Sequence, residues 1–176
     1  RVPLLAGCSS GSLIFGNQEV EENAGLVLGL YSLPGAELTA VHFTQSQVEE
    51  ANGPGCWHLE TGISPDETNG WLAFLDPFHL DSEGWLRGWN EAYAPLPVLG
   101  GLASGDFTGQ LTQVYLNGEV FEEGGVAVAG HHLGGGRLHY HAEVPGGHSF
   151  RYSVAGRPRL FPYRARHRLR REPYGG

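Results

Sequence analysis

The stretch WLAFLDPFHLDSEGWLRGWNEAYAPLPVLGGLASG, residues Trp71–Gly105, carries the organisation of the chain. Trp71 to Leu75 is an apolar run stopped by Asp76-Pro77, which reads as a buried strand. Asp81 or Ser82 can cap a helix start, and behind them Trp85, Leu86, Trp89 and Tyr93 fall on one stripe at helical spacing. Pro95 ends that helix, and Pro97 to Gly100 is the next short strand. A strand, a helix and a strand in that order predict a right-handed parallel crossover. Trp71–Leu75 and Pro97–Gly100 should therefore be parallel neighbours bridged by a helix over Ser82–Tyr93. The fold class that follows is α/β, with mixed sheets and packing helices.

Outward from this stretch the chain repeats itself. PLLAGCSSG at Pro3–Gly11 aligns with PVLGGLASG at Pro97–Gly105, and EVEENAGLVL at Glu19–Leu28 aligns with EVFEEGGVAV at Glu119–Val128. Two blocks in one order, with one small insertion between them, predict two pseudo-repeats of strand, helix, strand and hairpin. The counterparts of the Trp71 strand and the Trp85 helix would precede Arg1, so the first repeat is expected to be incomplete. The two Gly/Ser turns become equivalent positions, expected to face each other across a pseudo-twofold axis. Leu26 to Ser32 alternates, then Leu33-Pro34-Gly35-Ala36 turns and Leu38–Phe43 is extended again, which predicts an antiparallel pair. Residues 49–69, rich in Gly, Pro, Asn and Asp, read as a long loop around Trp57-His58-Leu59. Leu111–Leu116 turns at Asn117-Gly118, the strongest short hairpin signal, and Gly125–Ala129 is another strand.

The chain has 176 residues, 40% apolar, with four Trp, seven Tyr and eight Phe, enough for a core and against wholesale disorder. Its longest apolar stretch, Ala24–Leu33, is about half of the roughly 20 residues a membrane helix needs, so no membrane partner is expected. Net charge is −8 but uneven. Residues 1–130 hold 17 acidic side chains against Arg1 and Arg87, whereas residues 131–176 hold nine Arg against Glu143 and Glu172. An acidic body does not attract nucleic acid. There is no Lys and no Met; the first points to a GC-rich genome, the second to a fragment or a processed product. Two cysteines, Cys8 and Cys56, cannot staple a chain this long and read as reduced thiols of an intracellular, cytoplasmic protein. After Gly130 the periodicity fails. Residues 130–150 read as a divergent segment with a strand at Leu138–Val144, and residues 151–176 as an Arg-rich disordered tail. A reading-frame change near Gly130 would produce such an ending.

Gly7-Cys8-Ser9-Ser10-Gly11 satisfies G-x-S-x-G, the turn that lifts a nucleophilic serine above a hydrolase sheet. A serine hydrolase using Ser9 is therefore one reading. Against it, no helical period follows the turn, and the second copy has Ala103 where Ser9 would stand. The other reading is a ligand-facing turn. Glycines let backbone approach a bound group, and N–H groups and small hydroxyls hydrogen-bond it. On that reading a carboxylate sits between the two turns, touching Cys8, Ser9, Ser10, Gly100, Gly101 and Ser104, and Gly101→Val abolishes binding. Equally, Gly7, Gly100 and Gly101 could serve packing alone. Five of the nine histidines crowd between His131 and His148, but no Cys or carboxylate joins them at a recognised ligand spacing, so no metal and no cofactor is expected.

GCSSGSLIFGNQEVEENAGLVLGLYSLPGAELTAVHF resembles the amino-terminal half of the FIST domain, whose pattern is a Gly-Cys-Ser turn, a Gly, Glu-Val-Glu and an apolar strand ending in Leu-Pro-Gly. Here these are Gly7-Cys8-Ser9, Gly16, Glu19-Val20-Glu21 and Leu33-Pro34-Gly35. FLDPF at Phe74–Phe78, PVLGGLASG at Pro97–Gly105 and LNGEVFEEGGVAVA at Leu116–Ala129 continue it in order. The resemblance covers residues 1–129, a partial domain truncated at both ends. It implies a small-ligand-binding sensory module of a signalling or adaptor protein, with amino acids or their derivatives as ligands and no catalytic residues. It also implies protein partners in signalling or ubiquitin-ligase assemblies, since FIST domains occur in F-box proteins. A ligand-free protein-interaction platform is the further alternative.

Overall fold

The computed structural model describes residues 4–15, 18–21, 24–105, 108–131, 138–144 and 148–154. It is a mixed α/β protein. A four-stranded sheet has the order β4 (Glu37–Phe43), β9 (Gly125–His131), β5 (Trp71–Leu75), β6 (Val98–Leu102). β5 and β6 are parallel, with Trp71 opposite Val98 and Leu75 opposite Leu102, while β9 is antiparallel to both β4 and β5. The predicted crossover is present, and its helix, α3, spans Ser82–Tyr93 with the Asp81 side chain accepting from the Gly84 N–H.

Period-two alternation sorts each strand between two cores. Trp71, Ala73 and Leu75 of β5, Ala127 and Ala129 of β9 and Phe43 of β4 face the helices. Val126 and Val128 face the opposite way, with Leu72 and Phe74 packed beside them. On that side lies a three-stranded sheet of order β1 (Ala6–Cys8), β7 (Val114–Leu116), β8 (Glu119–Phe121). The result is three layers: helices, the central sheet, and the small sheet. The Asn117-Gly118 hairpin forms as expected, with both residues at positive φ.

Four expectations need correction. Residues 49–69 are not a loop: α1 (Gln45–Glu50) and α2 (Pro54–Thr61) lie there or reach into it. Thr44 and Gln47 form a capping box, and Pro54 sits in the first turn of α2, where its missing N–H costs nothing. Trp57 and Thr61 are buried; Thr61 Oγ1 lies 2.6 Å from the Tyr93 hydroxyl, tying α2 to α3. Second, residues 24–33 form no strand, and β4 pairs with β9 rather than with Leu26–Ser32. Third, the apolar stripe of α3 is Trp85, Trp89, Ala92 and Tyr93, while Leu86 is exposed. Fourth, β10 (Leu138–Val144) pairs with β11 (His148–Val154), which carries strand four residues into the segment read as tail. Residues 155–176 lie outside the described residues.

Two of the antiparallel pairs are short hairpins. β2 (Ser12–Phe15) pairs with β3 (Gln18–Glu21) as β7 pairs with β8.

Candidate functional site

The two Gly/Ser turns meet. The Ser104 N–H donates to the Ser9 carbonyl at 3.1 Å, and the Gly11 N–H donates to Ser104 Oγ at 2.9 Å. Ser9 Oγ accepts from the Gln113 N–H at 2.9 Å, and the Ser9 N–H donates to the Gln113 carbonyl at 2.8 Å, extending the β1–β7 ladder by one residue. Gly105 packs against the strand leading into β7, where an added Cβ would stand 2.5 Å from the Leu111 carbonyl oxygen. The junction lies at the carboxyl ends of β6 and β1. In open α/β sheets, loops at the carboxyl ends of parallel strands hold ligands.

Three of the N–H groups expected to be unpaired in these turns are already bonded. Those of Ser9, Gly11 and Ser104 are taken up by the junction itself. The hydroxyls keep donor capacity: Ser9 and Ser104 each accept a backbone N–H through Oγ, which leaves their own protons to donate outward. Ser10, exposed, donates its hydroxyl to the Ser12 carbonyl. Gly100 and Gly101 belong to β6 rather than to the turn, and an added Cβ at Gly101 meets nothing within 4 Å. No steric ground therefore remains for Gly101→Val to abolish binding. Cys8 is half-buried beside the small core of the sheet interface.

Beside the junction opens a cleft of about 250 Å³ lined by Ser9, Leu111, Thr112, Gln113 and Glu122. Thr112 and Gln113 lie in no motif of the sequence, and Glu122 lies in EVFEEGGVAV with nothing there to mark it as a site residue; only the fold brings the three beside Ser9. The Tyr115 hydroxyl donates to Gln113 Oε1 at 2.9 Å, which directs the amide nitrogen of Gln113 to other acceptors. Behind Thr112 lies Asp76, at the end of β5 and fully buried. Its carboxylate accepts from the Phe78 N–H at 2.9 Å, the His79 N–H at 3.0 Å, His79 Nδ1 at 2.8 Å and Thr112 Oγ1 at 2.7 Å. Asp76 thus stops β5, folds the Pro77–His79 turn and fixes one wall of the cleft. Asn at this position would point an amide N–H₂ at donors. Asp76→Asn is expected to cost about 2–3 kcal/mol and Thr112→Val about 1 kcal/mol, read as shifts in the urea midpoint.

Burial pushes the Cys8 thiol above its ordinary 9.0 and the Tyr93 phenol above 10.0, the Thr61 hydrogen bond partly opposing the latter. Both protons leave the unfolded chain first. The stability they contribute is full below those ordinary values and is lost as pH rises through the higher folded ones. Iodoacetamide at pH 8 should accordingly alkylate Cys8 several-fold more slowly in the folded protein than in 8 M urea, since the thiolate is the nucleophile. Equal rates would contradict the burial.

Ser9 lacks the partners of a nucleophile: among the described residues no histidine is hydrogen-bonded to it. Of the crowded histidines, His131 is buried with Nδ1 2.8 Å from the Glu67 carbonyl oxygen. His132 lies outside the described residues. Among the described residues, no three His, Cys, Asp or Glu side chains are grouped to hold a metal, and no helix is long and apolar enough to cross a membrane.

No curated protein matches this chain, and no solved structure does. The profile of the FIST N domain, generally a sensory domain of signalling proteins, matches residues 1–151. With a match over most of its length, carried by the strands, turns and hairpins described above, the chain belongs to the FIST N domain family.

Proposed function

We propose that this chain is a small-ligand-binding sensory module whose ligand is an amino acid or a close derivative, and that it is not an enzyme. The observation that carries the reading is the lining of the cleft beside the joined turns. Ser9 and Gln113 supply hydrogen-bond donors suited to a carboxylate, and Glu122 supplies a carboxylate suited to an ammonium group. A zwitterion satisfies both ends at once, whereas a simple anion would meet Glu122 as a like charge. The volume of about 250 Å³ falls below the usual range for drug-sized ligands, which favours a small molecule. The unpaired thiols of Cys8 and Cys56 accord with an intracellular setting. Protein partners in signalling or adaptor assemblies would read the ligand-bound state.

A ligand that binds only the folded state raises stability by RT ln(1 + [L]/Kd), so a thermal-shift screen against the common amino acids reports binding directly. At least one should raise the midpoint at millimolar concentration. Glu122→Gln should remove that response, and Ser9→Ala should weaken affinity by about fivefold, the net worth of one hydrogen bond. A screen with no shift, or a shift indifferent to Glu122→Gln, overturns the proposal. Turnover of an ester substrate by the wild type and not by Ser9→Ala would instead establish the hydrolase.

A further inference from the structure

Residues 24–33 are strand-like in sequence and have no strand partner among the described residues. Leu26 is 85% exposed, Leu30 75% and Tyr31 85%, with Val27, Leu28 and Leu33 also exposed. The aligned blocks set Gly25–Leu28 against Gly125–Val128, the first four residues of β9, which is paired along both edges by β4 and β5. One copy of this strand is thus the centre of a sheet, while the other lies bare. A second unpaired element sits next to it: β4 is an edge strand, and its outer row of N–H and C=O groups has no strand neighbour among the described residues. Residues 24–33 do not cover that edge in their own chain. The Leu33–Ala36 turn between them closes with the Ala36 N–H on the Leu33 carbonyl at 3.1 Å, with Pro34 second and Gly35 third at φ +77°. That is a type II pattern, which splays the flanking segments instead of pairing them.

We propose that two copies of this chain associate by reciprocal strand addition, residues 26–32 of one protomer lying along the outer edge of β4 of its partner. The donor and the acceptor edge occur on one chain, so a twofold pair satisfies both copies and closes. Charge favours the same place. Residues 24–33 carry no charged side chain, whereas the rest of residues 1–130 is strongly acidic and repels another copy. Size agrees as well. Five exposed apolar side chains of residues 26–32 per copy, at roughly 60–120 Å² each, give about 600–1,200 Å² for the pair before the two β4 edges are added, which brings it to the lower end of a stable interface. This inference goes beyond the ligand reading and does not depend on it.

Sedimentation velocity of the full chain, from about 0.1 to 100 µM, tests it. Wild type should pass from monomer to dimer. Leu28→Lys with Leu30→Lys should weaken association by about 100-fold or more. Both side chains are exposed, so circular dichroism and the thermal midpoint of the dilute variant should match wild type. Amide exchange across Glu37–Phe43 should slow with concentration in the wild type only. A monomer at every concentration, open-ended growth, a dimer indifferent to the two lysines, or a dimer with unchanged exchange in β4 overturns the proposal.

Discussion

Gly100→Ala is expected to destabilise the protein by about 4 kcal/mol or more, while Gly101→Val next to it changes stability by about 0.5 kcal/mol or less. Gly100 lies in β6 at φ +139°, a conformation that side-chain-bearing residues rarely adopt. It is also opposite Ala73 in the parallel β5–β6 pair, and an added Cβ would stand 1.7 Å from the Ala73 carbonyl oxygen, far inside van der Waals contact. Backbone, not a flexible side chain, is what it would strike. The strand must either shift or unpair, and the junction of Ser104 with Ser9 hangs on the end of that strand. At Gly101 the space is open. Calorimetric midpoints of the two variants check this; equal shifts would mean that β6 does not approach β5 as described.

Trp89→Ala is expected to cost about 3 kcal/mol, at the lower end of the usual 3–5 kcal/mol for deleting a buried aromatic ring. Trp89 is fully buried and its ring lies 4.8 Å from those of both Trp71 and Trp85, 5.1 Å from Trp57 and Tyr93, and 5.8 Å from Phe43. It joins helices α2 and α3 to the sheet, so the lost contacts are spread over α2, α3, β4 and β5. Two effects oppose. The cavity is large and its walls are rigid rings, which collapse poorly and raise the cost. The indole N–H of Trp89, however, has no hydrogen-bond acceptor among the described residues, and its removal returns about 1 kcal/mol or more. The expected fall in thermal midpoint is roughly 6–12 °C for a chain of this size. A fall much above that range would mean that the N–H has a partner, such as an ordered water.

Much of the architecture was legible locally because local chemistry dictates it. Trp71–Leu75 has no other use than a buried strand, Asp81 caps, Pro95 stops, and Asn117-Gly118 turns. The helices over 45–61 carry only weak sequence signals: α1 is one and a half turns, and α2 opens with Gly-Pro, the same dipeptide that marks loops. Thr44 with Gln47 three residues on was the legible hint.

The amino-acid sequence alone determined the parallel crossover, the Asn117-Gly118 hairpin and a recognisable family pattern over residues 1–129, which the family match carries on to residue 151. These depend on residue type and on spacing within one segment. Only the tertiary structure decided what the two Gly/Ser turns do with their N–H groups, which of two adjacent glycines tolerates a side chain, and that Thr112, Gln113 and Glu122 stand beside Ser9. Donors are spent or left free according to what comes near them, and Gln113 comes near Ser9 from 104 residues away. The same reason governs Leu26–Tyr31. Its alternation shows that it can be a strand, but pairing needs a second edge, and the closing turn at Pro34-Gly35 directs it away from the nearest one.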